Sequence, residues 1–108
     1  MLQDGAPPGT HSNAPTIEVV VHYWAQVRRA AGRASETVEV PASFHVAQLL
    51  VHLAQRHGES FRDLVFDDSG QLRRSNLILL GDRAVGEPEL QRLYEGATVA
   101  IVSPIAGG

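Results

Sequence analysis

The sequence predicts one α+β domain in which a mixed sheet grips a single main helix. Three observations carry that expectation: a β-branched opening segment with a period of two, one apolar helical stripe near the middle, and a second β-branched run close to the end. A chain of 108 residues can hold one modest hydrophobic core but not two.

Residues 1–15, MLQDGAPPGTHSNAP, carry three Pro and two Gly with almost no apolar side chains. Such a segment buries too little surface to offset the entropy of ordering it, so a disordered leader is expected, with the domain covering residues 16–108. From Thr16 the pattern changes. Ile17, Val19, Val21 and Tyr23 alternate with Glu18, Val20, His22 and Trp24, the period of a strand. The second set is itself half apolar, so both faces of this strand are candidates for cover. Residues 25–31, AQVRRAA, are good helix formers but too few to be stable alone, and Gly32 supplies a stop. Residues 35–40 form a second strand, with Thr37 and Glu39 opposite Val38 and Val40, and Pro41 ends it. Strand, short turn and strand make a hairpin.

The clearest helix covers residues 46–56, where Val46, Leu49, Leu50 and Leu53 fall at i, i+3, i+4 and i+7. Gly58 is the expected C-cap. Ser43 is preferred to His45 as N-cap, because a hydroxyl accepts readily from an orphan backbone N–H. Phe61, Leu64, Val65 and Phe66 then suggest a short apolar turn or strand leading to the polar bend Asp67-Asp68-Ser69-Gly70. Residues 76–80 form a third main strand, Gly81-Asp82-Arg83 turns the chain, and Glu95-Gly96 turns it again before a last strand over residues 99–102. The order β, β, α, β, β is that of the β-grasp architecture, the simplest way to bury one helical stripe with so few elements. First and last strands side by side at the centre would explain why both are apolar on two faces.

Composition narrows the function classes. A formal charge of −3 provides no basic stripe for neutralising phosphates, so nucleic acid is a poor partner. No apolar run approaches the length of a bilayer span, and nothing near Met1 combines basic residues with an apolar stretch; a cytoplasmic protein is expected. The chain contains no Cys, and all nine of its basic residues are Arg. That excludes side-chain thiol chemistry, disulfides, Cys-ligated zinc, Schiff-base catalysis and a phosphate-loop lysine. His45, Gln48 and His52 at i, i+3 and i+7, with His57 a further turn along, could share a helix face, but zinc needs closer support. A solvated polar face opposite the leucine stripe explains them, and no metal is expected. Asp67, Asp68 and Ser69 lack the spacing of a calcium loop and read as a turn.

After Val102, the segment Ser103-Pro104-Ile105-Ala106-Gly107-Gly108 loses strand periodicity, and Pro104 has no N–H to continue a central ladder. The chain leaves the sheet there as an arm. Terminal glycines let such an arm enter a channel too narrow for any Cβ and bring the Gly108 carboxylate against a bound nucleotide, where it can be activated as an acyl-adenylate. The plain alternative is a frayed end. Trp24, Ala100 and Val102 are a candidate partner interface, since a large apolar area on one sheet face marks a contact surface. Tyr23, in phase with Ile17, Val19 and Val21, belongs to the core.

Several segments together carry a family resemblance. Val21-His22-Tyr23-Trp24-Ala25-Gln26-Val27-Arg28-Arg29, followed by Ala31-Gly32, resembles the strand-to-helix passage of the MoaD/ThiS family of ubiquitin-like sulfur carriers. Val46-Ala47-Gln48-Leu49-Leu50 resembles the family's main helix, and Ser103-Pro104-Ile105-Ala106-Gly107-Gly108 its terminal tail. Within the family the likeness is nearest to the small subunit of molybdopterin synthase. Two departures fall in turns: Gly96-Ala97-Thr98-Val99, where the family usually has an acidic pair before Val, and Leu80-Gly81-Asp82, where it often has Val-Asn-Gly. The stretch Phe66-Asp67-Asp68-Ser69-Gly70-Gln71-Leu72-Arg73, together with the Pro104-Ile105-Ala106-Gly107-Gly108 ending, also resembles carriers serving cysteine or natural-product biosynthesis, and a carrier for thiamin biosynthesis is a further alternative within the family.

The resemblance implies a two-step cycle. An E1-like adenylating enzyme activates Gly108 with ATP, and a sulfur donor converts the acyl-adenylate to a thiocarboxylate. Pro104, Ile105, Ala106, Gly107 and Gly108 would enter the partner's active site, and the sulfur would pass to the large catalytic subunit of molybdopterin synthase or another sulfur-accepting enzyme. The chain would not be catalytic alone; ATP would be used by the activating enzyme, and no cofactor would be held by this chain. Two other classes share the fold: a protein modifier joined to target lysines, and a β-grasp binding module with no terminal chemistry.

Overall fold

The computed structural model describes residues 14–104. Most of the expected leader, and Ile105, Ala106, Gly107 and Gly108 of the expected tail, therefore lie outside the described residues. The elements are β1 (Thr16–Trp24), α1 (Gln26–Ala31), β2 (Ser35–Pro41), α2 (Val46–His57), α3 (Glu59–Val65), β3 (Leu77–Leu80), β4 (Arg83–Ala84) and β5 (Thr98–Val102). They build one mixed five-stranded sheet in the order β2-β1-β5-β3-β4. The two β-branched strands lie side by side at its centre, a pairing that periodicity alone does not assign, and run parallel, with Val21 opposite Val99 and Trp24 opposite Val102. The other pairings are antiparallel.

Alternation along each strand sends Val19, Val21 and Tyr23 of β1, Val38 and Val40 of β2, Ile78 of β3, and Val99 and Ile101 of β5 into one core. Val46, Leu49, Leu50 and Leu53 of α2 meet them, all fully buried. Each such leucine contributes about 1.5–3 kcal/mol by leaving water, far more than the intrinsic propensity of any helical residue, so packing decides where α2 lies. Gly32 ends α1 in the left-handed region at φ 77°, its N–H donating to the Arg28 carbonyl.

Four details differ from the sequence reading. The N-cap of α2 is His45 and not Ser43. The Val46 N–H donates to the Gln91 carbonyl at 2.8 Å and the Ala47 N–H to the Pro88 carbonyl at 3.0 Å, so the loop before β5 satisfies donors that a hydroxyl would otherwise serve. The Gln48 side chain completes the cap by accepting from the His45 N–H at 2.8 Å. Phe61, Leu64 and Val65 belong to a helix, α3, rather than to a turn or strand. Phe61 and Val65 are buried at the i, i+4 spacing that a cluster so short disguised, and Phe66 follows in extended conformation.

The third difference is β4, a two-residue edge strand closed on β3 through Gly81 and too short to show any period. The fourth concerns Glu36, which shares the buried face of β2 with Val38 and Val40. At Asp67 the polar bend forms as expected: its Oδ1 accepts from the Ser69 hydroxyl at 2.6 Å and from the Ser69 and Gln71 N–H groups. The Ser69 hydroxyl and the Gln71 N–H hold this carboxyl below its ordinary range.

Candidate functional site

The parallel pairing of β1 and β5 brings the end of β5 to the junction of β1 and α1. Ser103, one residue past β5, keeps the inward phase of Val99 and Ile101 and is 3% exposed. Its hydroxyl accepts from the Val27 N–H at 3.1 Å and donates to the Trp24 carbonyl at 3.4 Å. Next along the chain, the Pro104 carbonyl accepts from Gln26 Nε2 at 3.0 Å. Between the two contacts, Ala25 turns the backbone at φ 62°, ψ −130°. Pro104 is thus brought to the α1 side of the sheet, and the segment continuing to Gly108 starts from there.

Trp24, Ala100 and Val102 share the face of the sheet turned away from α2. Trp24 is 52% exposed and sits beside half-buried Val102 in the parallel register. The antiparallel neighbours Leu77 and Leu79 of β3, opposite Val102 and Ala100, extend this apolar face on the side of the sheet away from α2. Leu77, not singled out in the sequence, is exposed on this face, and its place out of phase with Ile78 was the available signal. Tyr23 points the other way and is buried.

Tyr23 leads to a second arrangement unseen in the sequence. The Glu36 side chain is 3% exposed, and its Oε2 accepts from the Tyr23 hydroxyl and contacts His57 Nε2, both at 2.5 Å. Its Oε1 accepts from Arg56 Nε at 3.1 Å and from Arg33 Nη1 at 3.4 Å. Burial pushes the Glu36 carboxyl up, but the hydrogen bonds from Tyr23 and His57 and the charge of Arg56 outweigh it and hold the group below its usual range. Burial first, then the bond to Glu36, push the Tyr23 phenol up. His57 was expected on a solvated face; instead its side chain is 10% exposed and packs edge-on to Tyr23. The end of α2 turns inward there because Gly58, at φ 94°, redirects the chain into α3.

His45 caps α2 and His52 lies on it, and among the described residues no three of His, Asp and Glu gather as a set that could hold a metal. A groove of about 880 Å³ beside α2 is lined by residues of the 70–76 and 85–89 segments and by none of the tail-root residues. Among the described residues no helix is long and apolar enough to cross a membrane.

A mixed sheet wrapped on one main helix, with a central parallel pair that delivers the last strand to the tail, defines a ubiquitin-like β-grasp protein. SAMP1 from Haloferax volcanii has this fold, with a TM-score of 0.76 at 23% identity over 84% of this chain and 99% of that one. Residues 21–108 match the ThiS family, and the chain belongs to it. It is also 31% identical to the molybdopterin synthase sulfur carrier subunit of Drosophila melanogaster, across 91% of this chain and 99% of the fly protein. A Pyrococcus furiosus structure provisionally assigned as molybdopterin converting factor, subunit 1, aligns with a TM-score of 0.66 at 28% identity, covering 82% of this chain and 99% of that one.

Proposed function

We propose that this protein is a sulfur carrier whose Gly108 carboxylate is adenylated by an E1-like enzyme and then converted to a thiocarboxylate. The sulfur-carrier class is supported by membership of the ThiS family and by the likeness to the fly sulfur carrier subunit. In the first step a carboxylate oxygen attacks the α-phosphorus of ATP and displaces pyrophosphate. Sulfide from the donor then attacks the acyl carbon and expels AMP, leaving sulfur on the main chain; a persulfide donor would first form an acyl disulfide, whose S–S bond a second thiol outside this chain cleaves to release the thiocarboxylate and a disulfide. No side-chain thiol is required, consistent with a chain that contains no Cys. The thiocarboxylate is a better nucleophile than the carboxylate at neutral pH and passes its sulfur to the acceptor.

The recipient that the relatives favour is the large catalytic subunit of a molybdopterin synthase, with this chain as the small subunit in molybdenum cofactor biosynthesis. The activating enzyme and the recipient would each dock on the apolar face of Trp24, Val102, Ala100 and Leu77, which adjoins the tail root. Pro104, Ile105, Ala106 and Gly107 would carry Gly108 into the partner's active site. ATP stays with the activating enzyme.

The observation that carries this reading is the delivery of β5, through Ser103 and Pro104, to one edge of an exposed apolar face. It is tested by exchange of labelled pyrophosphate into ATP on a candidate E1-like enzyme. Exchange that depends on this chain, and stops when one residue is added after Gly108, is the expected result; exchange unchanged by that extension contradicts it.

A further inference from the structure

Terminal acyl chemistry gives no role to the buried hydroxyl at the tail root. Ser103 is, with Glu36, one of the two buried polar residues among those described. Its position continues the apolar phase of Val99 and Ile101, where a valine would satisfy the core better. The hydroxyl instead lies between the Trp24 carbonyl and the Val27 N–H, the two groups that a four-residue reverse turn normally joins directly.

We propose that Ser103 is a positioning residue: wedged into the Trp24–Val27 turn, it ties the tail's point of departure to the β1–α1 junction and fixes the arm's direction relative to the Trp24 face. This rests on the sulfur-carrier reading.

Three features support the assignment. First, the hydroxyl is used both as acceptor and as donor, so removing it strands a buried N–H and frees a carbonyl. Second, Ala25 at the apex of the turn is the one non-glycine residue with positive φ among those described. Its conformation carries about 1–3 kcal/mol of strain, which persists only where the surroundings dictate the backbone. Third, Gln26 straps the next residue through the Pro104 carbonyl, so two successive residues of the root are tied to one turn.

The geometry matters because the remaining arm is short. Four residues from Ile105 to Gly108 reach at most roughly 13–14 Å when fully extended. Over such a length the direction at the root decides where the carboxylate arrives, and a displacement of about 1 Å at a reacting centre can cost on the order of 100-fold in rate. The same turn also holds Trp24, so the docking face and the tail root are tied to one piece of backbone.

The test compares the wild type, Ser103→Ala, Ser103→Thr and Gln26→Ala in thiocarboxylate formation with an E1-like enzyme, ATP and sulfide, followed by intact mass, with thermal midpoints measured in parallel. Ser103→Ala should lower kcat by about 10-fold with KM little changed, since the docking face remains. Ser103→Thr, which keeps the hydroxyl, should restore most of it, and Gln26→Ala should lower kcat more modestly. A folded Ser103→Ala variant with wild-type kcat, a loss confined to KM, or a loss that Thr does not rescue overturns the proposal. Should Ser103→Ala not fold, an unchanged kcat in Gln26→Ala overturns it. A wild-type chain that takes up no sulfur would instead defeat the underlying reading and this proposal with it.

Discussion

Glu36 and His57, 21 residues apart on a strand and a helix, meet at 2.5 Å behind the sheet. The contact joins the outer strand β2 to the end of α2, where apolar packing alone would leave a carboxylate unpaired. Tyr23, Arg33 and Arg56 complete its surroundings, so every lone-pair direction of Glu36 faces a donor.

Glu36→Gln keeps the shape and removes the charge. It should destabilise the protein by about 1–3 kcal/mol, because hydrogen bonds to a buried charged group are worth more than neutral ones. Arg33→Ala should cost no more than about 1 kcal/mol, its side chain being half exposed and screened by water. Denaturant unfolding midpoints check both, and a neutral Glu36→Gln would contradict the reading of the cluster.

The same carboxylate sets an acid limit. Its folded pKa is depressed from the ordinary 4.5, so its contribution is fully present above about pH 4.5 and is lost as pH falls through the lower folded value. Stability of the wild type should therefore fall below pH 4.5 more steeply than that of Glu36→Gln. Urea titrations at successive acidic pH values give the comparison; parallel slopes would contradict it.

Ala25→Gly should raise stability by about 1 kcal/mol, because glycine accepts positive φ without the clash of a Cβ. For a domain of this size that is an upward shift of the thermal midpoint by about 4–8 °C. A lower midpoint would show that the turn is unstrained.

Trp24→Ala should change folding stability by less than about 1 kcal/mol, since half the side chain is already in water. It should nevertheless weaken capture by the activating enzyme at least about 10-fold, as expected for an aromatic anchor at the centre of a contact. Leu90→Ala, at a residue more exposed than Trp24 but on the loop before β5, is the control and should leave affinity unchanged. Calorimetric titration distinguishes the two.

Much of this architecture was legible because its longest elements carry strong periods. Residues 16–24 and 99–102 announce strands, and Val46, Leu49, Leu50 and Leu53 announce the helix they enclose. What escaped was decided by partners distant in the chain. The cap of α2 depends on carbonyls of Gln91 and Pro88, 45 and 41 residues beyond the Val46 and Ala47 N–H groups they accept from, and Ser43 offered the better local chemistry. Glu36 reads as a surface glutamate until Tyr23, His57 and Arg56 are brought to it from three other segments. The diglycine ending and the second apolar set of the central strands could be read from the residues themselves, whereas the exposure of Trp24 could not. The clamp at Ser103 was not, since its partners Trp24 and Val27 lie at the other end of the sequence.

The central claim is that sulfur is loaded on the acyl group of Gly108, and intact mass tests it most directly. The protein is purified from cells that contain its activating enzyme and sulfur donor, and its C-terminal fragment is weighed and sequenced. The expected product has one oxygen of the Gly108 carboxyl replaced by sulfur, a change reversed on alkaline hydrolysis. A fragment found only with an unmodified carboxylate, or joined to lysines of other proteins with no thiocarboxylate form, would contradict it.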